Sequence, residues 1–390
     1  MNSVPILRTV LTPAVLVRIA LGWGAFVLTL VARPVLSAHL PTSALVAVLA
    51  AVVAVIVVCA FGVVAQAEHL AHRLGDPYGT LVLTLSIVLI EVILISAVML
   101  GPGDHLTIAR DSVMAVSMII LNLVIGVALL VGGLRHGGLL PNRAGTSAYL
   151  SLLVVLCTVA FALPGLIGTG GAYRAGQAVP IAALTVVLYA FFLYRQMGAQ
   201  RADFQEVIAV GSTGAANPAA EATDDAADVR PSIGEVLSEH RTEVVARAIA
   251  LVLTVTPIVL LSHDMAVLLD DGLGRAGAPV ALSGILIAMI VFLPETLTAI
   301  RAAHAGEIQR VSNLCHGALV STVGLTIPAV LTIGLLTGQT VVLAENATNL
   351  TLLAVTLVLN VMTFAGSRVT ALHGSAHLMV FVIYGLTVFA

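Results

Sequence analysis

The chain has 390 residues, 59% of them hydrophobic and only 9% charged, with a mean hydropathy of +1.09. Soluble globules carry about 25% charged residues, so this composition excludes one and predicts an all-α polytopic membrane protein in contact with the lipid bilayer. A net charge of −3 with no basic patch excludes nucleic acid as a partner.

All seventeen basic side chains are Arg, a codon bias of GC-rich bacterial genomes, and the expected location is a bacterial cytoplasmic (inner) membrane. Cys59, Cys157 and Cys315 all fall in apolar segments, where a free thiol acts as a small hydrophobe. No disulfide is expected.

A bilayer core needs about 20 apolar residues per helix. That rule predicts eleven spans, near 14–32, 43–66, 79–100, 112–132, 147–168, 178–195, 244–262, 277–300, 311–334, 340–359 and 371–389. The first lacks an A-x-A cleavage site after it and reads as a retained helix rather than a signal peptide. With a cytoplasmic N-terminus, thirteen Arg fall on the inner side and four, Arg33, Arg110, Arg174 and Arg275, on the outer. The positive-inside rule therefore sets the N-terminus inside and the C-terminus outside.

Residues 196–243 form the one long polar segment. Its small, acidic middle, free of aromatics between Gly211 and Val229, predicts a disordered cytoplasmic linker. Its flank, 232–243, predicts a short solvated helix with Glu235 and Glu239 one turn apart. The linker separates a leading helix (1–42) and five spans (43–195) from five further spans (244–390). Odd halves enter the membrane from opposite sides, the geometry of inverted-topology repeats.

Glu91 and Glu295 each stand alone in a long apolar run, the second span of its half. A carboxylate at the centre of a spanning helix costs roughly 2.5–3.5 kcal/mol on insertion scales, so such groups mark ion or proton paths. Alone, either could simply bond a neighbouring helix in its neutral form. Two at equivalent places in opposed halves point to one cation and proton site. Thr80, Thr84 and Glu91 share a helix face; Thr298 follows Glu295 by one turn; and Pro294 frees the Ile290 carbonyl or kinks the helix. Carboxylate and carbonyl oxygens suit a hard cation such as Ca²⁺.

Each glutamate-bearing span is followed by a helix rich in small residues. Asn122 in the first adds an amide oxygen, or serves as interhelical glue. Ser321, Thr322 and His316 occupy the second, where His316 reads better as a packing histidine and as the only one well inside a span. Glu68, His69 and His72 fall between the second and third spans without the H-E-x-x-H order, and read as a polar interfacial loop. His373 and His377 form an i, i+4 pair with no further ligands nearby. The absence of G-x-x-x-x-G-K-[ST] leaves no ATP engine and no resident cofactor, so transport is driven by another ion.

In AEHLAHRLGDPYGTLVLTLSIVLIEVILISAVML (67–100), LNLVIGVALLVGGLRHGG (121–138) and PETLTAIRAAHAGEIQRVSNLCHGALVSTVGLTIPAV (294–330), the chain resembles bacterial calcium/proton antiporters of the ChaA type, within the cation/calcium exchanger superfamily. The resemblance implies that Glu91 and Glu295 bind Ca²⁺ and H⁺ in turn, and that Asn122 is the first-repeat asparagine near the site. Two departures stand out. The G-N-x-x-E run around each glutamate is replaced by IVLIE (87–91) and VFLPE (291–295), and Ser321 stands where many relatives carry Gln.

The expected function is therefore secondary antiport, not enzymatic catalysis. Ca²⁺, with Na⁺ or K⁺ as further candidates, leaves the cytoplasm in exchange for H⁺ by alternating access, protons competing with the metal for the same oxygens. The alternative from another class is a cation channel or leak pathway, which would conduct without proton coupling.

Overall fold

Within a bilayer only helices and closed barrels satisfy every backbone N–H and C=O. In the computed structural model of the chain, which describes residues 10–36, 40–74, 85, 88–89, 91–92, 95–96, 99, 106–207 and 241–389, every regular element among those residues is a helix. In order they are α1 (Pro13–Leu36), α2 (Thr42–Leu74), α3 (Ile108–His136), α4 (Arg143–Ile167), α5 (Ala175–Met197), α6 (Arg241–Arg275), α7 (Val280–Val291), α8 (Leu293–Ala305), α9 (Ile308–Thr337), α10 (Ala347–Ala365) and α11 (Ala371–Thr387). Of the predicted span 79–100, the described residues, Glu91 among them, are helical. Eight described helices are long and apolar enough to cross a membrane, and nine if α7 and α8 count as one bent span.

Several boundaries differ from those read in the sequence. The span expected at 340–359 starts at Ala347, because Val342 is held in an isolated bridge with Ala172 and Asn346 caps the helix, its side-chain oxygen accepting from the Asn349 N–H at 2.9 Å. The span expected at 244–262 continues to Arg275. Glu68, His69 and His72 lie on the last turns of α2 rather than in a loop, with His69 exposed. Most of the linker, Glu235 and Glu239 included, lies outside the described residues.

Burial separates two central helices from their surroundings. Along their apolar stretches α3 is 83% and α9 67% buried, against 17–39% for the other six spans. The outer helices turn their leucines and valines outward instead, as lipid-facing helices do, for lipid tails are as apolar as Leu. Helix α11 crosses α3 at small residues: a Cβ on Gly374 would lie 2.6 Å from the Gly126 carbonyl oxygen. Backbones meet that closely only where side chains are absent.

The ends of the bundle are stitched by hydrogen bonds. At one end Leu343 and Ala344 N–H groups both donate to the Gly171 carbonyl at 3.0 Å, and Glu345 N–H donates to Phe161 at 3.0 Å. At the other end the Asn142 N–H donates to Gln309 Oε1 (3.0 Å), Asn313 Nδ2 donates to the Phe204 carbonyl (2.7 Å), and Glu206 receives the Gln309 and Arg310 N–H groups (2.9 and 3.3 Å). These two N–H groups belong to the first turn of α9, the electropositive end of a helix.

Candidate functional site

Residues of opposite halves meet midway along the central helices. Glu91 is 5% exposed, and its Oε2 accepts a hydrogen bond from Thr322 Oγ1 of α9 at 2.7 Å. Glu295 is 4% exposed and stands in the first turn of α8, directly after the break at Phe292. There the chain bends by 56°, the kink that Pro294 predicts. The break places the start of a helix, with its electropositive end, beside a buried acid. Glu91 meets α9 through Thr322, and α8, which carries Glu295, packs against the same helix.

Buried polar atoms are almost always partnered, yet eight among the described residues have no hydrogen-bond partner, and five of these belong to Glu91, Glu295, Asn122 and Thr326. They are Glu91 Oε1, both oxygens of Glu295, Asn122 Oδ1 and Thr326 Oγ1. All five are oxygens on a pair of carboxylates or on the two central helices. Asn122 lies in a π-helical turn, 119–124, inside α3; such one-turn widenings recur at functional sites, and α8 packs against this one. Two carboxylates and neutral oxygens in a water-poor interior are a donor set for a cation or for protons. Among the described residues no three His, Cys, Asp or Glu side chains gather as a metal cluster.

The other predicted residues are distributed differently. Thr298 is buried on α8, one turn after Glu295. Ser321 accepts from the Tyr189 hydroxyl at 2.9 Å. His316 is fully buried with both ring nitrogens engaged, Nδ1 with Ser312 Oγ at 2.9 Å and Nε2 with Asn360 Oδ1 at 3.2 Å, and it packs edge-on against Phe364. A second histidine is buried in a helix as well: His377 is fully buried on α11 against Thr363 Oγ1 at 3.1 Å. His373 instead bonds Thr370 at the start of α11. Thr80 and Thr84 lie outside the described residues. The three cysteines are free and buried.

Sequence reasoning misses several buried polar groups. Asp264 of α6 is a further buried carboxylate within a helical span, held by Thr29 Oγ1 (3.2 Å) and Arg33 (3.3 Å) of α1. Thr356 and Asn360 of α10 join the polar core. Their spacing, with Thr363 completing one face of α10 at i, i+4 and i+7, is a signal the sequence does contain.

A bundle of apolar helices around two buried carboxylates defines a membrane transporter. The Sodium/calcium exchanger protein family matches residues 44–198. The sodium-potassium/proton antiporter ChaA of Escherichia coli is 33% identical over 331 residues, 85% of this chain and 86% of that protein. A putative ionic transporter of Sinorhizobium fredii, y4hA, is 34% identical over 83% of each chain. Among solved structures, native YfkE superposes with a TM-score of 0.66 at 16% identity, covering 95% of this chain and 99% of that one. The H⁺/Ca²⁺ exchanger CAX gives 0.64 at 13% identity over 95% and 87%. The chain belongs to the cation/calcium exchanger family, with a ChaA antiporter as a homologue over most of its length: it is a multi-pass cation antiporter and not an enzyme.

Proposed function

We propose that the protein exchanges Ca²⁺ for H⁺ by alternating access, with Glu91 and Glu295 binding the two ions in turn. The observation that carries this reading is the pair of buried carboxylates with three unpartnered oxygens, drawn from opposite halves of the chain. A divalent cation neutralises both charges at once, and Asn122 Oδ1 and Thr326 Oγ1 supply neutral oxygens toward the six to eight that Ca²⁺ takes. Protons neutralise the same pair, whereas an empty dianion is costly to carry through an occluded state. Exchange is therefore coupled. The plan of one leading helix (1–42) and two inverted five-helix halves (43–195 and 244–390) joined by a cytoplasmic linker gives each half one carboxylate. It sets the N-terminus in the cytoplasm, the C-terminus outside, and the cation path outward across a bacterial inner membrane.

Na⁺ or K⁺ is the second reading. It is favoured by the Escherichia coli relative, a sodium-potassium/proton antiporter, and by the small number of neutral oxygens beside the pair. Everted vesicles holding a pH gradient test both. Adding Ca²⁺, Na⁺ or K⁺ separately should dissipate the gradient, and Glu91→Gln or Glu295→Gln should abolish the response. Unchanged exchange in both variants removes the paired-carboxylate mechanism, and cation flux indifferent to pH identifies a channel.

A further inference from the structure

Helix α10 bears neither carboxylate, yet it reaches the site through one hydroxyl. Thr356 is fully buried midway along it, and its Oγ1 accepts a hydrogen bond from Asn122 Nδ2 at 2.9 Å. We propose that Thr356 is a positioning residue that turns Asn122 so that its carboxamide oxygen, not its NH₂, is offered to the cation. This inference rests on the proposed cation exchange at Glu91 and Glu295.

A carboxamide has two ends of nearly equal shape and opposite function. The oxygen can ligate a cation; the NH₂ can only donate. An NH₂ in the place of that oxygen would offer the cation no lone pair. Met118 settles which end faces α10. Its thioether sulfur is an acceptor only, and both Asn122 Nδ2 and Thr356 Oγ1 donate toward it at 3.7 Å. With its proton directed at Met118 Sδ, the Thr356 hydroxyl presents a lone pair to Asn122 Nδ2. Two acceptors therefore hold the NH₂ end, and Oδ1 is left buried without a partner.

The backbone that carries this hydroxyl is tied to α9 in turn. The Thr356 carbonyl accepts from Asn360 Nδ2 at 2.8 Å, Asn360 Oδ1 pairs with His316 Nε2 at 3.2 Å, and His316 Nδ1 pairs with Ser312 at 2.9 Å. His316 and Ser312 lie on α9, the helix whose Thr322 holds Glu91. The Asn122 amide and the Glu91 carboxylate are thereby referenced to one helix.

The test uses everted vesicles carrying the full chain, with Ca²⁺ as the titrated cation and proton flux as the readout. Thr356→Val keeps the shape and removes the acceptor. The half-saturating Ca²⁺ concentration should rise about fivefold, the worth of one neutral hydrogen bond, with the maximal rate retained, and Thr356→Ser should restore it. In an Asn122→Ala background, Thr356→Val should add nothing, because Thr356 acts only through that amide. An unchanged half-saturation in Thr356→Val, or an equal effect with and without Asn122, overturns the positioning role while leaving the antiport reading standing. Wild-type vesicles without Ca²⁺-dependent proton flux overturn both. Size-exclusion profiles of the purified variants separate misfolding from altered binding, and a Thr356→Ser chain that folds yet stays as impaired as Thr356→Val also refutes the role.

Discussion

The hydroxyl of Thr322 is the one hydrogen-bond donor that the described structure gives to either carboxylate of the pair, which makes Thr322→Val a direct probe. The contact is 2.7 Å long, in a site where Glu91 is 5% exposed. A hydrogen bond to a charged group contributes about 1.5–3 kcal/mol, and about 1.4 kcal/mol is a factor of ten. If the hydroxyl stays on the ionised carboxylate while the cation sits on Oε1, its removal raises the half-saturating cation concentration by about 10- to 150-fold. The assay is a cation titration of proton flux in everted vesicles, with Thr322→Ser as the variant that restores the bond. A half-saturation that is unchanged refutes the argument. One that falls refutes it differently, by showing that the hydroxyl and the cation contend for Oε2.

Three further outcomes follow from geometry away from the pair. Gly374→Ala places a Cβ 2.6 Å from backbone of α3, whereas Gly385 of the same helix has nothing within 4 Å. Scanning fluorimetry should show a lowered melting temperature for the first, at about 1–3 kcal/mol of overpacking, and none for Gly385→Ala. At the loop end of the bundle, burial pushes the Glu345 carboxyl above the ordinary glutamate range, against hydrogen bonds from Asn349 and Asn346 and the charge of Arg110. A folded value above the unfolded one means stability that is present below the unfolded pKa and lost as pH rises through the folded pKa. Glu345→Gln should therefore melt no lower than the wild type at pH 8, with the difference moving toward the wild type on acidification to pH 5; a larger loss at pH 8 would show that Arg110 outweighs burial. Replacing Asp264 by Ala removes the acceptor of both Thr29 and Arg33. It should loosen α1 from α6 and raise protease sensitivity of the N-terminal segment, while Arg275→Ala, whose bonds are exposed, should not.

The pair was legible because charge is so rare in this chain: a single Glu in twenty apolar residues has no cheap explanation, and Pro294 beside Glu295 announces its own kink. Asn122 was legible as a polar residue at depth, but its π turn was not, since one extra residue in a helical turn leaves no mark in apolar periodicity. Thr356 was overlooked for the reverse reason. Its pattern is visible, yet threonine is ordinary in membrane helices, and only the contact with Asn122 gives it meaning. Asp264 is hidden from a hydropathy reading that ends this span at 262, whereas α6 continues to Arg275. Pairing partners across more than 200 residues, such as Thr322 with Glu91, are a property of packing that no local pattern encodes.

Glu206 caps the first turn of α9 with two hydrogen bonds, and Phe204 accepts one more from Asn313. Both residues lie near the start of the 196–243 segment, so these clasps between the halves are made by its leading residues. None of these contacts uses a residue beyond Glu206 of that segment. The gene could accordingly be split within it, and two separately translated polypeptides would still carry all the groups needed to recognise each other.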